Sequence, residues 1–160
     1  MTQTDEMLFA TEAQQIQQRA DQSVEIATEK YLIFSSDNLM YGIKAEQVKD
    51  IITDYAITGI PQVPNYVRGV INLRGQIIPM LDIRLRLGKA PQDNFCGIVV
   101  DVDGNMVGIL VDMVEQMVDV PLGDILPVPT NSGQAMVSGM CTLPDGNTML
   151  ELECGLLLHD

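Results

Sequence analysis

The stretch of sequence that decides the fold runs from residue 60 to residue 88 and reads IPQVPNYVRGVINLRGQIIPMLDIRLRLG. Its centre, residues 67–83, predicts two β-strands, because β-branched and other apolar residues dominate both sides of a tight turn. That turn is Asn72-Leu73-Arg74-Gly75, in which Gly75 can take the positive φ that a hairpin requires. Pro79 lacks the N–H of a ladder residue, which predicts that the second strand is an edge strand or carries a bulge.

Two arginines of this stretch, Arg68 and Arg74, are therefore expected at the ends of a rigid β-hairpin. An arginine in such a place is either solvated or holds a carboxylate or carbonyl group of a partner.

The net charge of −13 is distributed unevenly along the 160 residues. Residues 1–65, 66–89 and 90–160 carry −6, +4 and −11, so one basic island lies in an acidic chain. Nucleic acid is disfavoured as a partner, because phosphate binding requires a basic face. The basic island is either a binding surface or a set of bases that offset neighbouring acids, and both readings stay open at this point.

Cysteine usage and hydropathy predict a cytoplasmic protein that does not insert into a membrane. The three cysteines are widely spaced, and the one histidine, His159, is the penultimate residue, so a clustered zinc site is disfavoured. Free thiols in apolar contexts point to a reducing compartment. The acidic start is unlike the basic region of a signal peptide, and no apolar run approaches about 18 residues.

The order of elements along the chain predicts an all-β domain behind an N-terminal arm. Residues 1–28 form that arm, either flexible or helical, with a thin apolar stripe at helical spacing. From Tyr31 onward the pattern predicts strands, interrupted by a two-turn helix over Ala45–Ile52. Two turns with the same Asp-Gly-Asn sequence, at 103–105 and 145–147, predict two further hairpins. The Gly/Pro-containing segment near residues 88–92 marks an expected boundary between two subdomains.

No combination of residues predicts catalysis, a cofactor or a metal ion. The usual nucleophile–base pairs and phosphate-binding loops are missing from the sequence. Asp112 with Glu115, and Glu151 with Glu153, are the local candidates for a small carboxylate-based enzyme, but acids are so frequent here that accidental neighbours are expected. The Asp101-x-Asp103-Gly104 sequence lacks the further ligands of an EF-hand and is better explained by a hairpin turn. The residues therefore favour a binding protein.

The pattern Val-x-Gly-Val-x-Asn-Leu-Arg-Gly-x-Ile-x-Pro-x-x-Asp-Ile-Arg over residues 67–84 resembles the signature of the CheW family, the coupling adaptors of bacterial chemotaxis. Ile60-Pro61-x-x-Pro64 fits the same signature, and the resemblance extends from about Tyr31 to Leu158 in strand order and spacing. It implies that residues 29–160 form two small five-stranded SH3-like β-barrels with short helices.

The resemblance also implies a non-enzymatic scaffold that couples the cytoplasmic tips of chemoreceptors to the regulatory domain of the histidine kinase CheA. Other CheW-like proteins are further possible partners, and the location is the cytoplasm, at receptor arrays. Positions that match the family's receptor-contacting region are Val48, Asp50, Gly69, Asn72, Arg74 and Gly75. Val48 has an equally plausible role in packing its element on the barrel, and Asp50 stands where the family commonly has Glu. A component of a receptor array or of another chemosensory pathway is the alternative that the sequence leaves open.

Overall fold

A computed structural model describes residues 27–91, 96–128 and 136–158. The predicted N-terminal arm lies outside the described residues except for its last two positions, and Thr28 already belongs to the first strand. The strands are β1 Thr28–Ser36, β2 Leu39–Lys44, β3 Val48–Ile52, β4 Val67–Leu73, β5 Gln76–Asp82, β6 Cys96–Val102, β7 Asn105–Val111, β8 Met113–Pro121, β9 Leu126–Pro127, β10 Val137–Thr142 and β11 Thr148–Leu152. The α-helix α1 spans Ile83–Arg86, and 3₁₀ turns span Ala45–Gln47, Leu122–Asp124 and Cys154–Leu158.

The strands form two sheets, which confirms the prediction of an all-β fold with two β subdomains. Sheet A has the order β8-β1-β2-β11-β10-β9, and sheet B has the order β3-β6-β7-β5-β4. Sheet B has the expected five strands, whereas sheet A gains a sixth, the two-residue β9. Most neighbours are antiparallel, but β11 pairs with β2 and β5 pairs with β7 in parallel, since the chain crosses between the sheets.

The two sheets do not divide the chain near residues 88–92, where the boundary was expected. Sheet B combines β3, β4 and β5 from before this segment with β6 and β7 from after it. Sheet A likewise takes β1 and β2 from the first half and β8 to β11 from the second. A shift in composition marks a loop along the chain, but strand pairing decides which segments share a sheet.

The described core consists of three apolar clusters, and several strands, β1 and β6 among them, contribute to two clusters each. Leu32 and Phe34 of β1 face a large cluster shared by both sheets, whereas Tyr31 and Ile33 face a cluster inside sheet A. In the same way β6 directs Ile98 and Val100 into the shared cluster and Val99 into sheet B's own cluster. Because neighbouring side chains of a strand point to opposite faces, a continuous apolar run indicates a strand that is buried on both faces.

The hairpin of β4 and β5 forms as predicted around Arg74 and Gly75. Leu73 pairs with Gln76, which leaves Arg74 and Gly75 as a two-residue loop. Their φ angles of 52° and 84° are both positive. This is the pattern of a type I′ turn, whose twist matches that of the flanking strands.

The prediction that Pro79 makes β5 an edge strand is wrong, because β5 lies between β7 and β4. Pro79 pairs with Val70, whose N–H and C=O both bond to Thr58 on the other side of β4, at 2.9 Å each. Val70 and Pro79 therefore form a non-hydrogen-bonded pair, and the missing N–H of Pro79 points away from β4. The parallel ladder with β7 begins one residue later, at Met80 opposite Gly108. The proline thus stands where neither ladder needs its donor.

A register shift does occur in this hairpin, but the bulge lies on β4 and not, as predicted, on β5. Val67 pairs with Leu81 and Gly69 with Met80, so Arg68 is the extra residue of β4. Such a bulge turns the side chain of its extra residue. Arg68 donates from Nη1 to Oδ2 of Asp82 at 2.9 Å, an ion pair with a carboxylate that is almost completely buried.

The predicted two-turn helix over Ala45–Ile52 is also wrong. The structure has a 3₁₀ turn at Ala45–Gln47 followed directly by β3, Val48–Ile52. The apolar spacing of this short segment suits either a helix or a strand, and β-branched residues fill its second half. Pairing with β6 resolves the ambiguity, because it satisfies the backbone of β3 along a buried strand.

A charged cluster joins the two subdomains at the start of α1. Arg84 donates from Nε and Nη2 to the two carboxylate oxygens of Asp112, at 2.8 and 2.7 Å. Asp112 also accepts from the backbone N–H of Asp37 at 3.0 Å, and its own N–H donates to the carbonyl of Ser35 at 3.0 Å. Arg84 follows sheet B, whereas Asp37 lies between two strands of sheet A. The bidentate pair therefore fixes the junction of the two sheets.

We expect Asp112→Asn to lower the free energy of unfolding by about 1–3 kcal/mol at neutral pH, because it removes a charge-assisted pair that is four-fifths buried. The hydrogen bonds from Arg84 lower the pKa of Asp112 below its usual 3.8. A lowered folded-state pKa gives stability that is complete above the unfolded value and is lost as the pH falls through the folded value.

Urea denaturation of the wild type and of the variant at pH 7 and pH 3 measures this effect. The difference between the two proteins should be largest at pH 7 and smaller at pH 3. Glu115→Gln, which removes an exposed acid from β8, is the matched control. An equal loss of stability in the control would contradict the role of the ion pair.

Candidate partner-binding site

Three of the six predicted site residues, Asn72, Arg74 and Gly75, lie together at the tip of the β4–β5 hairpin. The Oδ1 atom of Asn72 accepts a hydrogen bond from the N–H of Gly75 at 2.9 Å. The side chain of Asn72, which lies in β4 just before the loop, thus closes the loop. Asn72 and Gly75 therefore hold the turn in shape, and Arg74 is displayed at its tip with 81% of its side chain exposed.

Asp50 also belongs to this site, although it comes from a distant part of the chain. Its Oδ2 atom lies 3.3 Å from Nη2 of Arg74, and its Oδ1 atom accepts from the N–H of Ile51 at 2.9 Å. β3 and β4 are the two outer strands of sheet B, so this contact brings the hairpin tip to the opposite edge of the sheet. Since Arg74 is largely exposed, the ion pair contributes less than about 1 kcal/mol to stability. Its effect is to orient the guanidinium group.

Gly69 is buried and serves the packing of the hairpin. Its φ of 147° lies in a region that residues with a side chain rarely adopt. A Cβ atom at this position would overlap with the backbone of Thr58, which forms a bridge with Val70. Gly69 thus allows the segment after β3 to lie against β4.

Val48 is the sixth predicted residue and is partly buried. It pairs with Val100 of β6 and packs against the large cluster shared by both sheets. Because the segment is a strand, Val48 does not project from a surface helix as the sequence predicted. These contacts give Val48 the packing role that the sequence left open.

The basic island is largely used within the molecule, which favours the second of the two readings left open above. Arg68 pairs with Asp82 and Arg84 with Asp112, and both pairs are mostly buried. Lys89 lies 3.8 Å from Asp37, and Arg86 lies over the ring of Tyr66 at 4.6 Å from its centroid. Arg74 is consequently the arginine of the island that the described structure presents most fully to solvent.

Sequence reasoning missed Ile77, which is 61% exposed, the highest fraction among the large apolar residues that the structure describes. Ile77 lies directly opposite Asn72 across the hairpin, and its neighbour Ile78 is completely buried. Two successive isoleucines in a strand point to opposite faces, so one of them faces solvent unless both faces are covered. The two successive isoleucines were therefore the feature of the sequence from which an exposed apolar side chain could have been predicted.

In each carboxylate pair considered for catalysis, one member, Asp112 or Glu151, is engaged in structural contacts. Arg84 lowers the pKa of Asp112, whereas a general acid requires a raised one. Glu151 accepts hydrogen bonds from the hydroxyl groups of Tyr31 and Ser138. Asp101 accepts from the N–H of Gly104 at 2.8 Å and so closes the β6–β7 turn, as expected.

The described ranges hold neither a metal-binding cluster nor a membrane-spanning helix. No group of three or more His, Cys, Asp or Glu side chains among residues 27–91, 96–128 and 136–158 could hold a metal ion. Over the same ranges, no helix has the length and apolar character needed to cross a membrane.

We expect Gly69→Ala to destabilise the protein by more than about 2 kcal/mol, because a methyl group would both overlap with Thr58 and strain the backbone. Gly75→Ala is the matched control: its φ is also positive, but the space around its Cβ is open. The control should cost about 1 kcal/mol. Thermal and urea unfolding measure both variants, and equal losses would contradict the close approach at Gly69.

A family model described as the CheW-like domain matches residues 30–160 of this chain. A chemotaxis protein CheW of Klebsiella aerogenes is 33% identical over 108 residues, which cover 66% of this chain and 65% of that protein. A chemotaxis protein CheW of Rhizobium meliloti is 45% identical over 75 residues, which cover 45% of this chain and 48% of that protein.

Among solved structures, the scaffolding protein TtCheW from Thermoanaerobacter tengcongensis is similar to this chain with a TM-score of 0.78 and 28% sequence identity. The match covers 84% of this chain and 94% of that one. The two curated relatives are matched over slightly less than two thirds and about half of their lengths. With nearly all described strands inside the family match and the same fold in a solved relative, this chain belongs to the CheW-like domain family.

Proposed function

We propose that this protein is a non-enzymatic scaffold of chemosensory signalling that couples the cytoplasmic tips of chemoreceptors to the regulatory domain of the histidine kinase CheA. The observation that carries the proposal is the family match over residues 30–160, which includes the whole β4–β5 hairpin. The solved relative is itself named a scaffolding protein. The proposed location is the cytoplasm, next to the receptor arrays.

Arg74 is the residue on which receptor binding depends in this proposal. It is exposed, it stands on a rigid two-residue turn, and Asp50 orients it through one terminal nitrogen. Within the described residues, no second partner holds this guanidinium, so its remaining N–H donors can bond carboxylate or carbonyl groups of a receptor. The pair with Asp50 lowers the cost of ordering this side chain on binding by less than about 1 kcal/mol.

The other predicted residues support Arg74 in different ways. Asn72 and Gly75 shape the turn, and Asp50 orients the guanidinium. Gly69 and Val48 support the site indirectly, because they allow β4 and β3 to pack in place. The proposed contact surface is accordingly the hairpin tip and its rim.

We expect Arg74→Ala to weaken binding of a soluble receptor-tip fragment about tenfold or more, since it removes the charge-assisted hydrogen bonds of one exposed arginine. The melting temperature should change little, because the side chain is 81% exposed. Titration of the purified protein with the fragment, and separately with the CheA regulatory domain, measures both interactions. Kinase binding by the variant should equal that of the wild type.

Lys30→Ala is the control for loss of a positive charge, because Lys30 is an exposed residue of β1 in sheet A, whereas the hairpin belongs to sheet B. Failure of the wild type to bind either partner would overturn the proposed function and reduce the similarity to one of fold. Kinase binding without receptor binding would instead indicate a component of an array or of another pathway.

A further inference from the structure

Three large apolar side chains are exposed together at the β9 edge of sheet A. Leu126 and Met140 lie directly opposite each other across β9 and β10, and they are 60% and 39% exposed. Leu122, in the 3₁₀ turn before β9, is 51% exposed. Because cross-strand partners are in contact distance, Leu126 and Met140 form a continuous apolar surface and are not scattered single residues.

Two adjoining cavities lie beside these side chains, with volumes of about 370 and 330 Å³. Leu126 and Met140 line the first cavity, and the end of β8 together with the loop after β10 lines the second. Asp124 and Thr142 belong to both cavities. The two cavities therefore form one groove between the two sides of this subdomain, which we call the β8–β10 groove.

The N-terminal arm meets the described structure at this groove. The carbonyl of Ala27 accepts a hydrogen bond from the N–H of Leu122 at 3.0 Å. Pro121 and Gly123, on either side of Leu122, both line the groove. Residues 1–26 are thus tethered next to the groove, and such a tether gives them a high effective concentration there.

The sequence of the arm fits an apolar surface of this kind. Ala13, Ile16, Ala20 and Val24 recur at steps of three and four residues, which places them on one face of a helix. A helix over residues 13–26 is about 21 Å long at 1.5 Å per residue. A stripe so rich in alanine does not stabilise an isolated helix, so the helix needs a surface on which to pack.

Charge is also complementary between the arm and the groove. Arg19, at the margin of the apolar stripe, is the one basic residue among residues 1–26. Asp119 and Asp124 line the groove, and neither forms an ion pair with another described residue. In a helix, the acids Asp21 and Glu25 point away from the stripe. A basic group therefore faces the acidic groove, and these two acids do not.

We propose that residues 13–26 bind the β8–β10 groove of their own chain as an amphipathic helix. Val24 lies nearest to Leu122, where the arm leaves the sheet, and Ile16 covers Leu126 and Met140. The arm thereby covers the exposed edge of sheet A, which otherwise offers an open strand and apolar side chains to other proteins. The inference does not depend on the proposed function.

The test is hydrogen–deuterium exchange of the full chain, followed by mass spectrometry of peptides from residues 11–26. In the wild type, these amides should exchange about tenfold or more slowly than in an unstructured chain, because the docked helix protects them. Ile16→Asp should remove the protection, since it places a charge against the apolar surface. Gln18→Asp introduces the same charge on the opposite face of the helix and is the matched control, which should retain the protection.

Leu126→Gln tests the same contact from the side of the groove and should also remove the protection of residues 13–26. Ile77→Gln is its control, because Ile77 is 61% exposed but lies on β5 of sheet B. The melting transition of the described domain should be retained in both variants. Ile16 lies outside the described fold, so its substitution tests the contact even if Leu126→Gln unfolds the domain.

Unprotected amides over residues 13–26 in the wild type would overturn the inference and leave the groove to a different protein. Protection that survives both Ile16→Asp and Leu126→Gln would place the arm elsewhere and would overturn it as well. Protection that is lost on dilution would assign the groove to the arm of a second copy and contradict binding within one chain. Each of these outcomes leaves the proposed coupling of receptors to the kinase in place.

Discussion

The structure depends on one constraint, the burial of apolar side chains on both faces of its central strands, of which β1 and β6 are examples. Each of these strands contributes alternate residues to the large shared cluster and to the cluster of its own sheet. Neither sheet can therefore bury its apolar residues without the other. The crossing of the chain between the sheets follows from the same requirement, because strands from both halves of the chain are needed to complete each sheet.

Charged residues complete the junction that the apolar core establishes. Asp82 caps α1 by accepting from the N–H of Arg84 at 2.9 Å, and the same carboxylate holds Arg68. The side chain of Arg84 in turn donates to Asp112 at the junction of the two sheets. The Asp-Ile-Arg end of the family signature thus has a structural meaning. The buried carboxylate of Asp82 needs paired donors, and the backbone N–H groups at the helix start and the side chain of Arg68 provide them.

The proposed binding surface lies at the other end of the same hairpin, where few residues are required by the core. Asn72 closes the Arg74–Gly75 loop, and Asp50 of β3 orients the guanidinium group of Arg74. A surface of this kind can vary in sequence without loss of the fold, because its side chains are exposed. In the proposed function, the sheet presents the tip rigidly, and the few groups at the tip give selectivity.

Local patterns in the sequence determined the β-hairpins, the all-β class and the turn at Arg74 and Gly75, because alternation and turn chemistry depend on neighbours along the chain. They also predicted a binding role for the hairpin tip, which stays a prediction. Tertiary structure decided what depends on distant partners: the interior position of β5, the strand at Val48–Ile52, and the division of the strands between two sheets. It likewise decided that Asp50 orients Arg74, that Gly69 leaves room for the backbone of Thr58, and that Ile77 faces solvent. Pairing, burial and ion-pair geometry are properties of residues far apart in the chain, and no local pattern carries them.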